Sequence, residues 1–90
     1  MTKFPLQVGR IVLSKAGRDE GRKFVVLEEI DDDFVLVANG ALRTVSRPKK
    51  KRRRHLRATE TVAQDIATRI ANGDAVEDHM LRKALLQEEG

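Results

Sequence analysis

Eight of the eleven residues from Arg47 to Arg57 (RPKKKRRRHLR) are cations: Arg47, Lys49, Lys50, Lys51, Arg52, Arg53, Arg54 and Arg57. Like charges at that density repel and cost folding energy unless an anion relieves them, so the chemistry that suits the run is contact with a polyanion. A solvated charge run and, in a eukaryotic chain, a nuclear import signal starting at Pro48 are the competing readings. Placement favours RNA. The run follows an expected hairpin and leads into His55-Leu56, which would hold it on the edge of a folded domain and not in a free tail.

A second cationic group, Lys15, Arg18, Arg22 and Lys23, surrounds the loop KAGRDEGRK at residues 15–23. Its glycines at 17 and 21 let the backbone turn back tightly and approach a ligand closely. The loop lacks the Gly-Lys-Ser/Thr ending of a nucleotide-binding P-loop, and an ordinary charged hairpin loop is the alternative.

The remaining reactive groups form no constellation. His55 and His79 have no ligand-like spacing, and consecutive Asp31, Asp32 and Asp33 suit a turn, since cation loops spread their ligands over alternate positions. The absence of cysteine removes thiolate chemistry and disulfides, and fits a reducing compartment. The hydroxyls of Ser14, Ser46, Thr44, Thr59 and Thr61 lack a partnering base motif. The reading is of a protein that is no enzyme, with neither metal nor cofactor.

The chain of 90 residues is long enough for one small domain with an appendage. With three Phe and no Tyr or Trp, its core must be built from Val, Leu, Ile and Ala. Few rings are left for stacking on bases, so structured or double-stranded RNA is favoured over single strands. The net charge of +4 conceals a division: residues 1–57 carry 15 Lys/Arg against 7 Asp/Glu, net +8, while residues 58–90 carry 3 against 7, net −4. The acidic third is therefore a partner surface or a packed accessory. No stretch approaches the roughly 20 apolar residues of a membrane span, and Met1-Thr2-Lys3-Phe4-Pro5 lacks the apolar core of a signal peptide, so a soluble, cytoplasmic protein is expected.

The elements that must position these cations follow from patterning. Val8 to Ser14 reads as a strand, the glycine loop as a turn, and Arg22 to Ile30 as a second strand with Phe24, Val26 and Ile30 on one face and Val25 and Leu27 on the other. Asp31 to Asp33 makes a polar break, and Phe34 to Ala38 is a third strand. Asn39-Gly40 suits a type I′ hairpin turn into a fourth strand, Ala41 to Ser46, which Arg47-Pro48 ends. Beyond the basic run the period changes. Val62, Ile66 and Ile70 mark a helix capped by Thr61 and Gln64 and stopped at Asn72-Gly73. Asp74 with Glu77 caps a second, with Val76, Met80, Leu81, Ala84 and Leu85 as its stripe to about Gln87.

From Val8-Gly9-Arg10-Ile11-Val12 through Gly17 and Gly21 to Val25-Val26 the chain resembles a KOW motif, the strand-loop-strand element of several large-subunit ribosomal proteins and certain transcription elongation factors. With Ile30 to Val37, the Arg-Pro-Lys-rich segment and His55-Leu56, it is similar over residues 6–58 to ribosomal proteins of the L14e/L6e/L27e grouping and to short bacterial KOW-domain RNA-binding proteins. The resemblance implies a mainly β fold, a small SH3-like antiparallel barrel at 6–58 that binds ribosomal RNA through Lys15, Arg18, Arg22 and Lys23 and the basic run beyond Pro48. The two-helix hairpin at 59–90, acidic in balance, departs from a minimal KOW domain.

Two rival readings stand beside a ribosomal-RNA-binding module. A protein-interaction adaptor of the ribosome or transcription machinery would use the barrel or the acidic hairpin, but an aromatic groove is hard to build if Phe24 and Phe34 lie in the core. A DNA-binding helix-turn-helix would place Glu77, Asp78, Glu88 and Glu89 beside Arg82 and Lys83, a poor charge balance for entering a groove.

Overall fold

The computed structural model describes residues 4–88. The first three residues, and Glu89 and the final glycine, lie outside them. Five strands form one antiparallel sheet, β1 (Arg10–Ser14), β2 (Lys23–Glu29), β3 (Phe34–Ala38), β4 (Lys49–Arg52) and β5 (Leu56–Val62), in the order β4-β3-β2-β1-β5. Two helices follow, α1 (Gln64–Ala71) and α2 (Asp78–Gln87). The fold is thus mainly β with a C-terminal helix pair. The sheet is not closed, so "barrel" describes it loosely: β4 and β5 are its two edges. A 3₁₀ turn, Arg53–His55, joins them, and so short a connector requires the sheet to curl until its edges approach each other.

Curling explains why β2 and β3 read as nearly unbroken apolar runs (FVVL, FVLV) instead of alternating ones. Both faces of the sheet are covered. Inside the curl, Val12, Phe24, Val26, Val35, Val37 and Leu56 pack together, with Leu6 against them. Outside, Ile11, Val25 and Ala38 meet Ala63, Ile66 and Leu81 from the helical segment, with Leu27, Ile70, Val76, Met80, Ala84 and Leu85 partly buried around them. Neither helix could be stable alone at its length, and both are held by this shared core. No helix of the described residues is long and apolar enough to cross a membrane.

Several expectations need correction. Asn39-Gly40 does not turn a hairpin, because only Gly40 has positive φ (78°) while a type I′ turn needs it at both positions. The Asn39 side-chain oxygen instead accepts hydrogen bonds from the amides of Ala41 (3.0 Å) and Arg43 (2.9 Å), folding Ala41 to Ser46 into a loop. The fourth strand is the basic run itself. Lys49 to Arg52 pair with β3 in the register Val37↔Lys49, Leu36↔Lys50, Val35↔Lys51 and Phe34↔Arg52, so Pro48 precedes the strand and does not end one. Lysines on an edge strand also discourage pairing with other chains.

Phe24 and Val26 share the inner face as patterned, but Ile30 lies beyond β2 and is exposed, the register having shifted between Val26 and Glu28. Phe34 is half-exposed and belongs to neither apolar cluster. β5 continues through Val62, paired with Arg10, and the Thr59 hydroxyl donates to the Ile11 carbonyl (2.8 Å) where the β1–β5 register shifts. That extension places Ala63 at the N-cap of α1, while α2 starts later than expected with Glu77 as its N-cap, and neither expected capping box forms. The stop at Asn72-Gly73 is as read: the Asp74 amide donates to the Arg69 carbonyl (2.8 Å) and the Gly73 amide to that of Ile70 (3.1 Å).

Candidate nucleic-acid interface

Antiparallel pairing gives the basic run a two-sided character, because alternate side chains of a strand point to opposite faces. Lys51 points inward and is 8% exposed, with its Nζ 3.8 Å from Asp19 Oδ2. Lys50 and Arg52 point outward and are exposed. Lys50 Nζ lies 4.5 Å and Arg52 Cζ 4.9 Å from the centroid of the Phe34 ring, within cation–π range. Lys49 is half-buried, and Arg47, in the loop before β4, is exposed.

The 3₁₀ turn continues the pattern with Arg53 engaged and Arg54 exposed. Arg53 Nη2 is 3.1 Å from Glu29 Oε1, and its Nε donates to the Asp31 carbonyl at 2.8 Å. Arg57, on β5, is exposed and lies opposite Leu13 of β1.

In the loop between β1 and β2, Gly17 and Gly21 both adopt positive φ (76° and 86°), and Gly17–Asp19 forms a 3₁₀ turn. Lys15 and Arg18 are exposed. Arg22 is exposed with its Nε 3.9 Å from Asp19 Oδ1, and Lys23 is half-buried with its Nζ donating to the Glu88 carbonyl at 3.4 Å.

Two contacts bring this loop to the basic strand and the turn that follows it. The Lys15 amide donates to the His55 carbonyl (2.8 Å), and Asp19 lies beside Lys51. Asp19 is the buried anion of the region, 7% exposed, with Arg22, Arg43 and Lys51 around it at 3.8–3.9 Å. It allows several cations to gather without an unrelieved charge in the core.

Sequence reasoning missed Asp19 and Arg43, and nothing in the adjacent pair Asp19-Glu20 distinguishes the buried acid from the exposed one. It also missed Arg10, which is buried, donates to the carbonyls of Pro5 (2.9 Å) and Thr59 (3.3 Å), and lies 5.3 Å from the Phe4 ring. Asp31 takes the turn role expected of it. Its Oδ1 accepts from the amides of Asp33 and Phe34 at 2.8 Å each. Those two bonds, with the charges of Lys50 and Arg53 adding to them, hold the carboxyl below the ordinary aspartate range.

Lys15, Arg18, Arg47, Lys50, Arg52, Arg54 and Arg57 thus remain exposed and outside the ion pairs of the described residues. They can meet phosphates without first giving up a carboxylate.

No family model matches the chain. Curated relatives include three archaeal proteins named large ribosomal subunit protein eL14. The chain is 38% identical over 55 residues to that of Desulfurococcus amylolyticus, covering 61% of this chain and 57% of the relative. It is 43% identical over 47 residues to that of Hyperthermus butylicus (52% and 46%) and 32% over 57 residues to that of Staphylothermus marinus (63% and 59%). The chain therefore spans about half to three fifths of the length of the curated relatives it matches. The resemblance to the L14e grouping is borne out by these named relatives.

Proposed function

We propose that this chain is a non-catalytic RNA-binding protein of the ribosome, cytoplasmic, holding ribosomal RNA by its backbone through the outward cations of β4, the following turn and β5, with Lys15 and Arg18 of the β1–β2 loop beside them. The observation that carries the reading is the sorting of the basic run by the sheet. Lys51 and Arg53 are neutralised within the fold, while Lys50, Arg52, Arg54 and Arg57 are left exposed on a rigid strand and turn. Cations fixed in this way lose less side-chain and backbone freedom on binding than cations on a free tail. The relatives named large ribosomal subunit proteins support ribosomal RNA as the target.

The helical pair contributes its apolar stripe to the domain's own core, which favours a structural accessory over a dedicated protein-docking hairpin. Its second helix also turns Leu81 onto the sheet, which does not suit a recognition helix for DNA. Crosslinking in cells followed by sequencing of the attached RNA tests the reading: enrichment of large-subunit ribosomal RNA at one region is expected. Recovery of partners that persist after nuclease treatment, with no enriched RNA, would replace it by the adaptor reading.

A further inference from the structure

Phe34 is one of three Phe in a chain without Tyr or Trp, and it is only partly buried. It opens β3 on the face that the helices cover farther along, at Ala38, and their packing does not extend to it. Arg52 lies directly across from it and Lys50 diagonally, so two cations flank one ring at 4.9 and 4.5 Å. The backbone that carries the ring is also held in place. The Phe34 amide donates to Asp31 Oδ1, and Arg53 clamps the same turn through the Asp31 carbonyl. Arg53 simultaneously pairs with Glu29 of β2.

We propose that Phe34, Arg52 and Lys50 form a subsite for one unpaired nucleotide of the bound RNA. The base stacks on the layer made by the ring and the guanidinium, and the adjoining phosphate meets Lys50. A base within a helix has both faces occupied by its neighbours, so this subsite takes a bulged, looped or terminal nucleotide and adds a preference that backbone contacts alone lack. The aromatic poverty of the chain makes stacking readout of long single strands unsuitable, yet one presented ring suffices for one base. The inference rests on the RNA-binding reading and deepens it.

The test uses two RNA hairpins, identical except that one carries a single bulged 2-aminopurine, titrated at low salt against the full chain and against Phe34→Leu, with a thermal melt of each protein to establish that the variant folds. The parent should bind the bulged hairpin on the order of tenfold more tightly than the paired one and change the 2-aminopurine fluorescence. Phe34→Leu should abolish both effects while leaving the affinity for the paired hairpin within about twofold. Equal binding of the two hairpins by the parent, or a bulge preference that survives in Phe34→Leu, overturns the subsite and leaves the RNA-binding reading standing. Binding of neither hairpin overturns both.

Discussion

Replacing Gly40 by alanine tests whether the helical pair is part of what holds the basic strand in place. Gly40 has φ of 78°, a conformation that costs a residue with a Cβ about 1–2 kcal/mol. The added methyl would also overlap the Asp78 carbonyl oxygen of α2 and lie 3.0 Å from Arg82 Cγ. Relief requires the loop and α2 to separate. That separation breaks the bond from Arg82 Nη1 to the Gly40 carbonyl (2.6 Å) and the one from the Val45 amide to Asp78 Oδ1 (2.8 Å). Each involves a charged group, worth about 1.5 kcal/mol at the low end, so the total loss should be roughly 4–5 kcal/mol.

Gly17→Ala is the matched control. Gly17 has nearly the same φ, 76°, but its Cβ would meet nothing within 4 Å, leaving only the backbone cost of about 1–2 kcal/mol. At roughly 4–8 °C per kcal/mol for a domain of this size, circular dichroism melts should show Gly40→Ala falling by more than about 15 °C and Gly17→Ala by no more than about half as much. Equal shifts for the two variants would refute the reasoning, because φ alone would then account for both and α2 would exert no pressure on the loop.

Asp19→Asn should destabilise the domain by about 2–4 kcal/mol in urea unfolding, since it leaves the Lys51 ammonium buried without its anion, and Lys51→Met in the same background should recover much of the loss. No recovery would mean that Lys51 is not the partner that matters. Asp31 has a pKa below its unfolded value, so its contribution to stability is present above the ordinary aspartate range and is lost as pH falls through the lowered folded value. Asp31→Asn should therefore show a weaker fall in melting temperature than the parent as pH drops below the ordinary aspartate range, and parallel curves would reject that role for the carboxyl. Lys50→Ala and Arg52→Ala, which touch no carboxylate among the described residues, should each leave the melting temperature within about 3 °C while weakening RNA binding.

Much of the sheet was legible because local chemistry and tertiary structure agree. Phe34 to Ala38 is a run that only a strand suits, Asp31 closes its own turn, and Asn72-Gly73 ends α1 by the backbone bonds that a glycine there permits. The fourth strand was not legible. KKKR has no apolar alternation, and Lys51 acts as an inward residue only because Asp19, 32 positions earlier, waits beneath it. ALRTVS looks more like a strand than KKKR does. It is drawn into a loop by the Asn39 side chain, a local turn signal that competes with the strand pattern, and by bonds to α2, which have no local signature.

The candidate site divides in the same manner. The cationic character of the run and the loop is plain in the residue types, whereas the neutralisation of Lys51 and Arg53 and the partial burial of Phe34 depend on strand register. A register displaced by one residue would have reversed which cations of β4 face outward.

The most direct test of the central claim is the salt dependence of binding to purified large-subunit ribosomal RNA, measured for the parent and for a variant with alanine at Lys50, Arg52, Arg54 and Arg57. Contact with about six phosphates predicts a log–log slope near −4 to −5 for the parent. The fourfold variant, which retains Lys51 and Arg53 and should keep its fold, is expected to bind more weakly with a slope shallower by about 3. Equal affinities and equal slopes for the two proteins would contradict the assignment of the outward cations of β4, the turn and β5 as the RNA-holding surface.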